Sequence, residues 1–285
     1  MHFGIEVVTL GEYADPRPVV RLARAAEAAG WEGLFIWDHL GFVWGAPSGN
    51  PWVILSAVAQ ATERLKLGTA VTPLPRHRPH VLANILATLD LLSGGRVILG
   101  VGLGGVAEEF TAFGEPADAK HRASLVDESL AVMTQLWSGQ AVTHHGPHFT
   151  VKDVTLAPLP VQRPRIPIWV GGDSRPAYRR AARWDGWVIG GVNEQGNMTV
   201  TSAQMAQKVA AIRRIASIRS MAAIQPQRDN PAPFEVAMTG YSTPADGALA
   251  REFCQAGVTW WLESLHGYRG TFDEMLARVK GGPPK

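Results

Sequence analysis

The sequence has very little cysteine, little net charge and no long apolar run. Cys254 is the one cysteine in 285 residues, which excludes an internal disulfide framework and favours a reducing, cytoplasmic location. The formal net charge of +2 gives no indication of nucleic acid or an anionic membrane as a partner. No apolar run approaches the ~20 residues of a membrane-spanning helix. The sequence enters a strand pattern at its start, so no signal peptide is expected.

What is present is a regular alternation of strand and helix patterns. With 46% hydrophobic residues, the chain is long enough to bury a sizeable core. Apolar, β-branched runs predict eight strands, and segments with helical periodicity predict eight helices. The strands are predicted near 3–8, 33–37, 65–71, 97–101, 166–170, 186–189, 234–239 and 258–262. The helices are predicted near 16–29, 51–61, 79–92, 122–137, 176–183, 202–219, 244–255 and 272–280.

Several helix ends carry capping signals. A capping side chain precedes proline at Asp15, Asn50 and Thr243, Thr271 begins a capping box, and Gly30 suits a C-terminal cap. Cys254 falls within a predicted helix and is expected in the core. Eight βα units predict a (β/α)8 barrel. The alternative, a doubly wound open sheet, expects a glycine fingerprint in the first βα turn, where this sequence has only Gly11.

Residues 94–105 are the most informative stretch. A buried strand passes into a loop with glycines at 100, 102, 104 and 105, and Glu108 and Glu109 follow. Glycines let a backbone approach a ligand closely, and the carboxyl ends of strands are where α/β enzymes place their sites. His39 has the same kind of position, after the second strand, where it could donate a proton near neutral pH. The alternative for His39 is a histidine hydrogen-bonded within a loop.

Two further loops have a chemical interpretation. Residues 171–176 follow the fifth strand and open a helix, so the free backbone N–H groups, together with Ser174, could bind a phosphate. The alternative is that Asp173 or Ser174 simply caps the helix. The loop 267–270 is the alternative phosphate site. Residues 142–151 predict a hairpin between the fourth helix and the fifth strand, on which His144, His145 and His148 are expected to be solvated, with no metal site.

Taken together, these and other motifs resemble the bacterial luciferase-like family of flavin- and deazaflavin-dependent oxidoreductases. Each motif is weak alone, but their order is specific. The resemblance is close over about 1–190 and looser beyond. The motifs lie at 26–33 (AEAAGWEG), 37–40 (WDHL), 62–73 (TERLKLGTAVTP), 88–96 (TLDLLSGGR), 136–139 (LWSG), 167–172 (PIWVGG) and 181–186 (AARWDG).

The resemblance implies one luciferase-like TIM-barrel domain over 1–285. It implies an enzyme that uses reduced FMN or coenzyme F420 for monooxygenation or hydride transfer on a small organic substrate. Family members are often homodimers, and the FMN-dependent ones use a flavin reductase as partner. The remaining alternatives are a non-catalytic flavin-binding protein on the same barrel and a cofactor-free hydrolytic or metal-dependent barrel.

The resemblance also implies site residues. His39 would face the reactive ring of the cofactor, and the Ala70–Val71 peptide bond would be cis and support that ring. Trp44 and Trp187 are expected in the substrate wall. Cofactor contacts are expected from Asp38, Ala70, Val71, Thr72, Gly102, Gly104, Gly171, Gly172, Asp173 and Ser174.

The sequence departs from the family at two positions. Leu103 stands where luciferase has a phosphate-binding arginine, and Gly105 stands where the deazaflavin-dependent sugar dehydrogenases have a catalytic glutamate. Both a luciferase reaction and a sugar-phosphate dehydrogenase are therefore in doubt. Glu109 is the nearest remaining acid and the second predicted catalytic residue, while Glu108 is expected to be solvated.

Overall fold

Parallel strands that are buried on both faces close into a barrel. The computed structural model describes residues 1–193, 197–221 and 232–285, without the side chains of 218–221. The strands are β1 (His2–Val7), β2 (Gly33–Ile36), β3 (Lys66–Thr69), β4 (Thr72–Pro73), β5 (Val97–Gly102), β6 (Val142–His145), β7 (Thr150–Val154), β8 (Ile168–Gly171), β9 (Gly186–Gly190), β10 (Glu235–Gly240) and β11 (Trp260–Leu265). The sheet order is β3-β2-β1-β11-β10-β9-β8-β5-β4, and β3 also pairs with β5, which closes the ring. The predicted (β/α)8 barrel is confirmed.

Helices follow the strands and surround the barrel. They are α1 (Pro16–Ala28), α2 (Pro51–Ala61), α3 (Pro79–Ser93), α4 (Glu108–Thr111), α5 (Ala119–Leu136), α6 (Arg175–Ala181), α7 (Ser202–Met221), α8 (Gly247–Gln255) and α9 (Phe272–Lys280). The caps predicted at Asp15, Asn50 and Thr271 are confirmed, the last as a complete capping box. Among the helices of the described ranges, none has both the length and the apolar character needed to cross a membrane.

Two local predictions on α8 are wrong. Thr243 does not cap this helix, because α8 begins only at Gly247. The side chain of Asp246 instead accepts hydrogen bonds from the backbone N–H and the hydroxyl of Thr243, which holds the segment in a turn. Cys254 is exposed rather than in the core, since the buried face of α8 is formed by Ala250 and Phe253.

Aromatic side chains fill the interior of the barrel. Phe35 stacks on Trp169 at 5.2 Å between ring centroids, and Trp260 lies 5.8 Å from both rings. Ala70 and Val71 pack against this aromatic cluster. The interior is therefore closed by packed rings, and the open space of the barrel lies toward the carboxyl ends of the strands.

The predicted hairpin insertion lies between α5 and β8. Strands β6 and β7 pair antiparallel, and Glu128 of α5 accepts hydrogen bonds from His144 Nε2 (3.0 Å) and the backbone N–H of Phe149 (2.9 Å). His148 Nε2 lies 2.8 Å from the hydroxyl of Ser124. Two of the three hairpin histidines are thus held against α5 by hydrogen bonds.

Candidate active site

A large cavity lies at the carboxyl ends of the barrel strands. Its volume is about 1460 Å³, and it opens to solvent beside the loops that follow β2, β5, β8 and β11. Such a volume is ample for a cofactor together with a small substrate. Nine of the residues expected in the site line it: His39, Trp44, Ala70, Val71, Gly102, Gly104, Gly171, Gly172 and Ser174.

His39 and Glu109 meet at the wall of this cavity. The Nδ1 atom of His39 lies 2.8 Å from Oε1 of Glu109, whose side chain is fully buried. The same oxygen accepts the backbone N–H of Leu40 at 2.8 Å. Because a carboxylate can only accept, Nδ1 of His39 carries the proton of this bond, and Nε2 is the ring atom left for a ligand. The His39 ring lies between the rings of Trp37 and Trp44, at 5.1 and 5.3 Å.

Arg76 joins this pair to Asp38. Its guanidinium contacts Glu109 Oε2 at 3.1 Å and Asp38 Oδ1 at 2.5 Å, and its side chain is 8% exposed. Asp38 also accepts from His77 Nε2 at 3.0 Å. Asp38 does not line the cavity, and its carboxylate is occupied by Arg76 and His77. In this structure it supports the loop behind His39, and its predicted contact with a cofactor stays a prediction.

The segment between β3 and β4 forms the floor of the cavity. The Ala70–Val71 peptide bond is cis, as the family resemblance implied. Thr72 is fully buried, and its hydroxyl donates to Thr69 Oγ1 at 3.0 Å, so it holds the segment from behind rather than lining the cavity. A Cβ on Gly102 would lie 2.7 Å from Val71, which shows how closely β5 approaches this floor.

The loop after β8 contributes Gly171, Gly172 and Ser174 to the wall. Asp173 points away into an adjoining groove of about 530 Å³, where it pairs with Lys208 at 2.6 Å and accepts from Tyr178. Burial acts to raise the pKa of Asp173, but the hydrogen bonds and charge of Lys208, with the hydrogen bond from Tyr178, hold it below its ordinary value. The negative charge of Asp173 is therefore neutralised outside the large cavity.

The two tryptophans expected in the substrate wall have different environments. Trp44 lines the cavity and is 41% exposed at its rim. Trp187 is fully buried in the hydrophobic core, and its Nε1 donates to the carbonyl of Gly172 at 2.8 Å. Trp187 thus positions the loop after β8 without lining the cavity.

Sequence reasoning missed the polar residues on the opposite side of the cavity. Glu6 lines it from β1 and is 3% exposed, with Trp37 Nε1 donating to Oε1 at 3.0 Å. Burial raises the pKa of Glu6 to about 7, and hydrogen bonds from Ser264 and Trp37 oppose that rise. The available signal was a single acid within the apolar strand 3–8. Tyr241 and His266 also line the cavity, and neither carries a signal in the sequence alone.

Comparison with known proteins agrees with this architecture. The sequence model described as luciferase-like monooxygenase matches residues 1–232. The chain belongs to the luciferase-like monooxygenase family. Over 178 residues it is 36% identical to an F420-dependent glucose-6-phosphate dehydrogenase of Microbacterium testaceum, covering 60% of this chain and 52% of that one. An F420-dependent hydroxymycolic acid dehydrogenase of Mycobacterium tuberculosis is 32% identical over 190 residues, covering 65% and 52%.

Solved structures of the same fold cover nearly the whole chain. An F420-dependent secondary alcohol dehydrogenase superimposes with a TM-score of 0.75 at 20% identity, covering 98% of this chain and 97% of that one. The monooxygenase RslO1 of Streptomyces bottropensis gives 0.74 at 23% identity, covering 99% and 97%. At such identities the likeness concerns the fold alone. The chain spans about half the length of the curated relatives that it matches.

Proposed function

We propose that the protein is an oxidoreductase that transfers a hydride between coenzyme F420 and a small organic alcohol or carbonyl compound. The observation that carries this proposal is the His39–Glu109 pair at the wall of the large cavity, with one ring nitrogen of His39 left for a ligand. The two relatives described above, at 36% and 32% identity, are named as F420-dependent dehydrogenases, which supports the same cofactor here.

The residues around the cavity fit a flat, anionic cofactor. A Cβ on Gly105 would meet no atom within 4 Å, so the β5 loop presents open backbone to the cavity. Ser174 and Lys120 line the same cavity and offer a hydroxyl and a cation to a phosphate, while Asp173 is turned aside. When bound, the cofactor would supply the hydride acceptor or donor.

The protein residues would move and hold the proton of the reaction. Glu109 fixes the orientation of the His39 ring through Nδ1, and Nε2 of His39 would accept a proton from an alcohol or return it to a carbonyl oxygen. Arg76 keeps the Glu109 carboxylate paired in its buried position. The indole rings of Trp37 and Trp44 flank the imidazole ring that carries this nitrogen.

Titration of the purified protein with coenzyme F420 and with FMN tests the proposal. We expect F420 to bind more tightly, and the F420-loaded protein to reduce the cofactor in the presence of a secondary alcohol. Tighter binding of FMN, with oxygen consumption when a flavin reductase is added, would contradict the proposal and indicate a monooxygenase.

A variant of His39 separates catalysis from binding. His39→Ala should lower kcat strongly, to a residual rate that can still be measured, and leave the affinity for F420 within about threefold of the wild type. If the wild type binds a cofactor without turnover and His39→Ala changes neither affinity nor reactivity, the protein is a non-catalytic binding protein on the same barrel.

A further inference from the structure

The cavity has a second hydrogen-bonding surface, formed where β1, β10 and β11 end. Glu6 and Ser264 are register partners on adjacent strands, so their side chains lie side by side inside the barrel. We call this surface the polar wall, and it consists of Glu6, Thr239, Tyr241, Ser264 and His266, all of which line the cavity.

Glu6 is an acceptor held in position without a counter-ion. Its Oε1 accepts from Trp37 Nε1, and within the described part of the chain no cation forms an ion pair with it. A buried carboxyl of this kind is stabilised by a ligand group that donates a hydrogen bond. The ring of Trp37 lies 5.1 Å from that of His39, so this indole separates the polar wall from the proposed proton-transfer position.

Tyr241 is the matching donor. Its hydroxyl is hydrogen-bonded to Nε2 of His266, and Nδ1 of His266 is buried with no partner among the described residues. Burial and Arg269 lower the pKa of His266, which keeps the ring neutral. A buried, unpaired N–H is more costly than an unpaired acceptor, so the ring proton is on Nε2 and is donated to Tyr241. The hydroxyl proton of Tyr241 is then free for another acceptor.

The charges around the polar wall disfavour an anionic ligand. Arg269 lies over the ring of Tyr241 at 4.2 Å, but its guanidinium pairs with the buried Glu263 at 2.6 Å. Arg278 lies 3.4 Å from the same carboxylate. Both cations are thus paired behind the wall, and among the described residues that line the cavity Glu6 is the carboxylic acid.

We propose that the polar wall binds an uncharged hydroxyl group of the substrate, distinct from the group that reacts at His39. Tyr241 donates to the oxygen of this hydroxyl and Glu6 accepts its hydrogen, so one donor and one acceptor satisfy it. The substrate class is therefore a small, unphosphorylated alcohol or ketone that carries a second hydroxyl on the far side of Trp37. This inference rests on the proposed function for its assignment of His39 to the reacting group.

The test compares two ligands that differ in one hydroxyl, cyclohexanol and trans-1,4-cyclohexanediol. Their dissociation constants are measured with the F420-loaded protein by tryptophan fluorescence, and kcat/KM is measured for both. The wild type should prefer the diol by about tenfold or more, as one hydrogen bond to a charged or strongly polar group allows. Tyr241→Phe and Glu6→Gln should each reduce this preference below about threefold and leave the affinity for cyclohexanol unchanged.

Tyr13→Phe is the matched control. Tyr13 is a buried tyrosine that packs near Phe272, and its hydroxyl has no partner within the described ranges. This variant should keep the full preference for the diol. All three variants should bind F420 as the wild type does.

The outcomes separate the inference from the proposed function. A preference for the diol that Tyr241→Phe and Glu6→Gln remove supports the polar wall even if neither compound is turned over. Equal affinity for the two compounds, including no binding of either, would overturn it even where His39-dependent turnover of other alcohols is found. Tighter binding of trans-4-aminocyclohexanol than of the diol would also overturn it, because the wall would then select a cation.

Discussion

Replacing Glu109 by glutamine gives the sharpest test of the proposed proton-transfer site. Glutamine keeps the shape of the side chain but removes the charge that accepts from His39 Nδ1 at 2.8 Å. A hydrogen bond to a charged group contributes ~1.5–3 kcal/mol, which corresponds to about 10- to 150-fold in rate. We therefore expect Glu109→Gln to lower kcat by about that factor. The affinity for F420 should change by less than about threefold, because Glu109 does not line the cavity.

A double-mutant cycle with His39→Ala shows whether Glu109 acts through His39. If it does, the double variant should be no slower than His39→Ala alone, because residues that act as one unit are not additive. Steady-state kinetics at saturating F420 give the four rates. Fully additive losses, or an unchanged kcat in Glu109→Gln, would refute the role assigned to Glu109. Arg76 keeps Asp38 as a partner at 2.5 Å, so the variant should still fold.

Glu128→Gln is the matched control for this experiment. Glu128 also accepts from a histidine, His144, and from the backbone N–H groups of His148 and Phe149, but it lies on the hairpin side of α5. Its substitution removes a comparable set of hydrogen bonds from a residue that does not line the large cavity. We expect a lower melting temperature and a wild-type kcat. A loss of kcat equal to that of Glu109→Gln would mean that general destabilisation explains both variants.

Three further predictions concern stability. Burial raises the pKa of Glu6 from 4.5 to about 7, so the wild type loses stability as the pH rises from about 4.5 to 7. Glu6→Gln lacks this titration and should be more stable than the wild type by up to ~3 kcal/mol at pH 8 but not at pH 4.5. Urea unfolding at the two pH values tests this expectation. A Cβ on Gly100 would lie 1.9 Å from a backbone oxygen of β3, so Gly100→Ala should lower the melting temperature strongly, whereas Gly105→Ala, which meets open space, should leave it nearly unchanged. Thr271→Ala should cost ~1 kcal/mol in urea unfolding through loss of the capping box, and an unchanged midpoint would contradict this.

The barrel could be predicted because its signals are local. The caps at Asp15 and Asn50 depend on a side chain and on backbone N–H groups two or three residues away, so a short stretch of sequence determines them. The incorrect prediction of a cap at Thr243 also depends on a contact between residues only three positions apart. The carboxylate of Asp246 accepts hydrogen bonds from both the hydroxyl and the backbone N–H of Thr243, and the resulting turn delays the start of α8.

The site was predictable only in part, because its contacts are between distant loops. The carboxyl ends of β2 and β5 were expected to carry His39 and Glu109, but β3 lies between these strands. Their contact depends on the path of the loop that contains α4, which turns Glu109 inward and leaves Glu108 exposed. No spacing in the sequence specifies this path. The position of Arg76 between Glu109 and Asp38 depends on the same path, so it could not be predicted either.

Glu6, which lines the cavity, and Glu109, which lies behind His39, are both buried acids, and the groups that surround them assign their different roles. Glu109 contacts a guanidinium, a backbone N–H and an imidazole N–H, so its charge is compensated in place and can orient His39. Glu6 accepts from the indole of Trp37 beside the hydroxyl of Ser264, which is weaker compensation for a buried charge. A fixed, paired acid suits the positioning of a catalytic base, whereas an acid that lacks a counter-ion is completed by a ligand. The indole of Trp37 contacts both regions, and it would therefore set the spacing between the reacting group of the substrate and its anchoring hydroxyl.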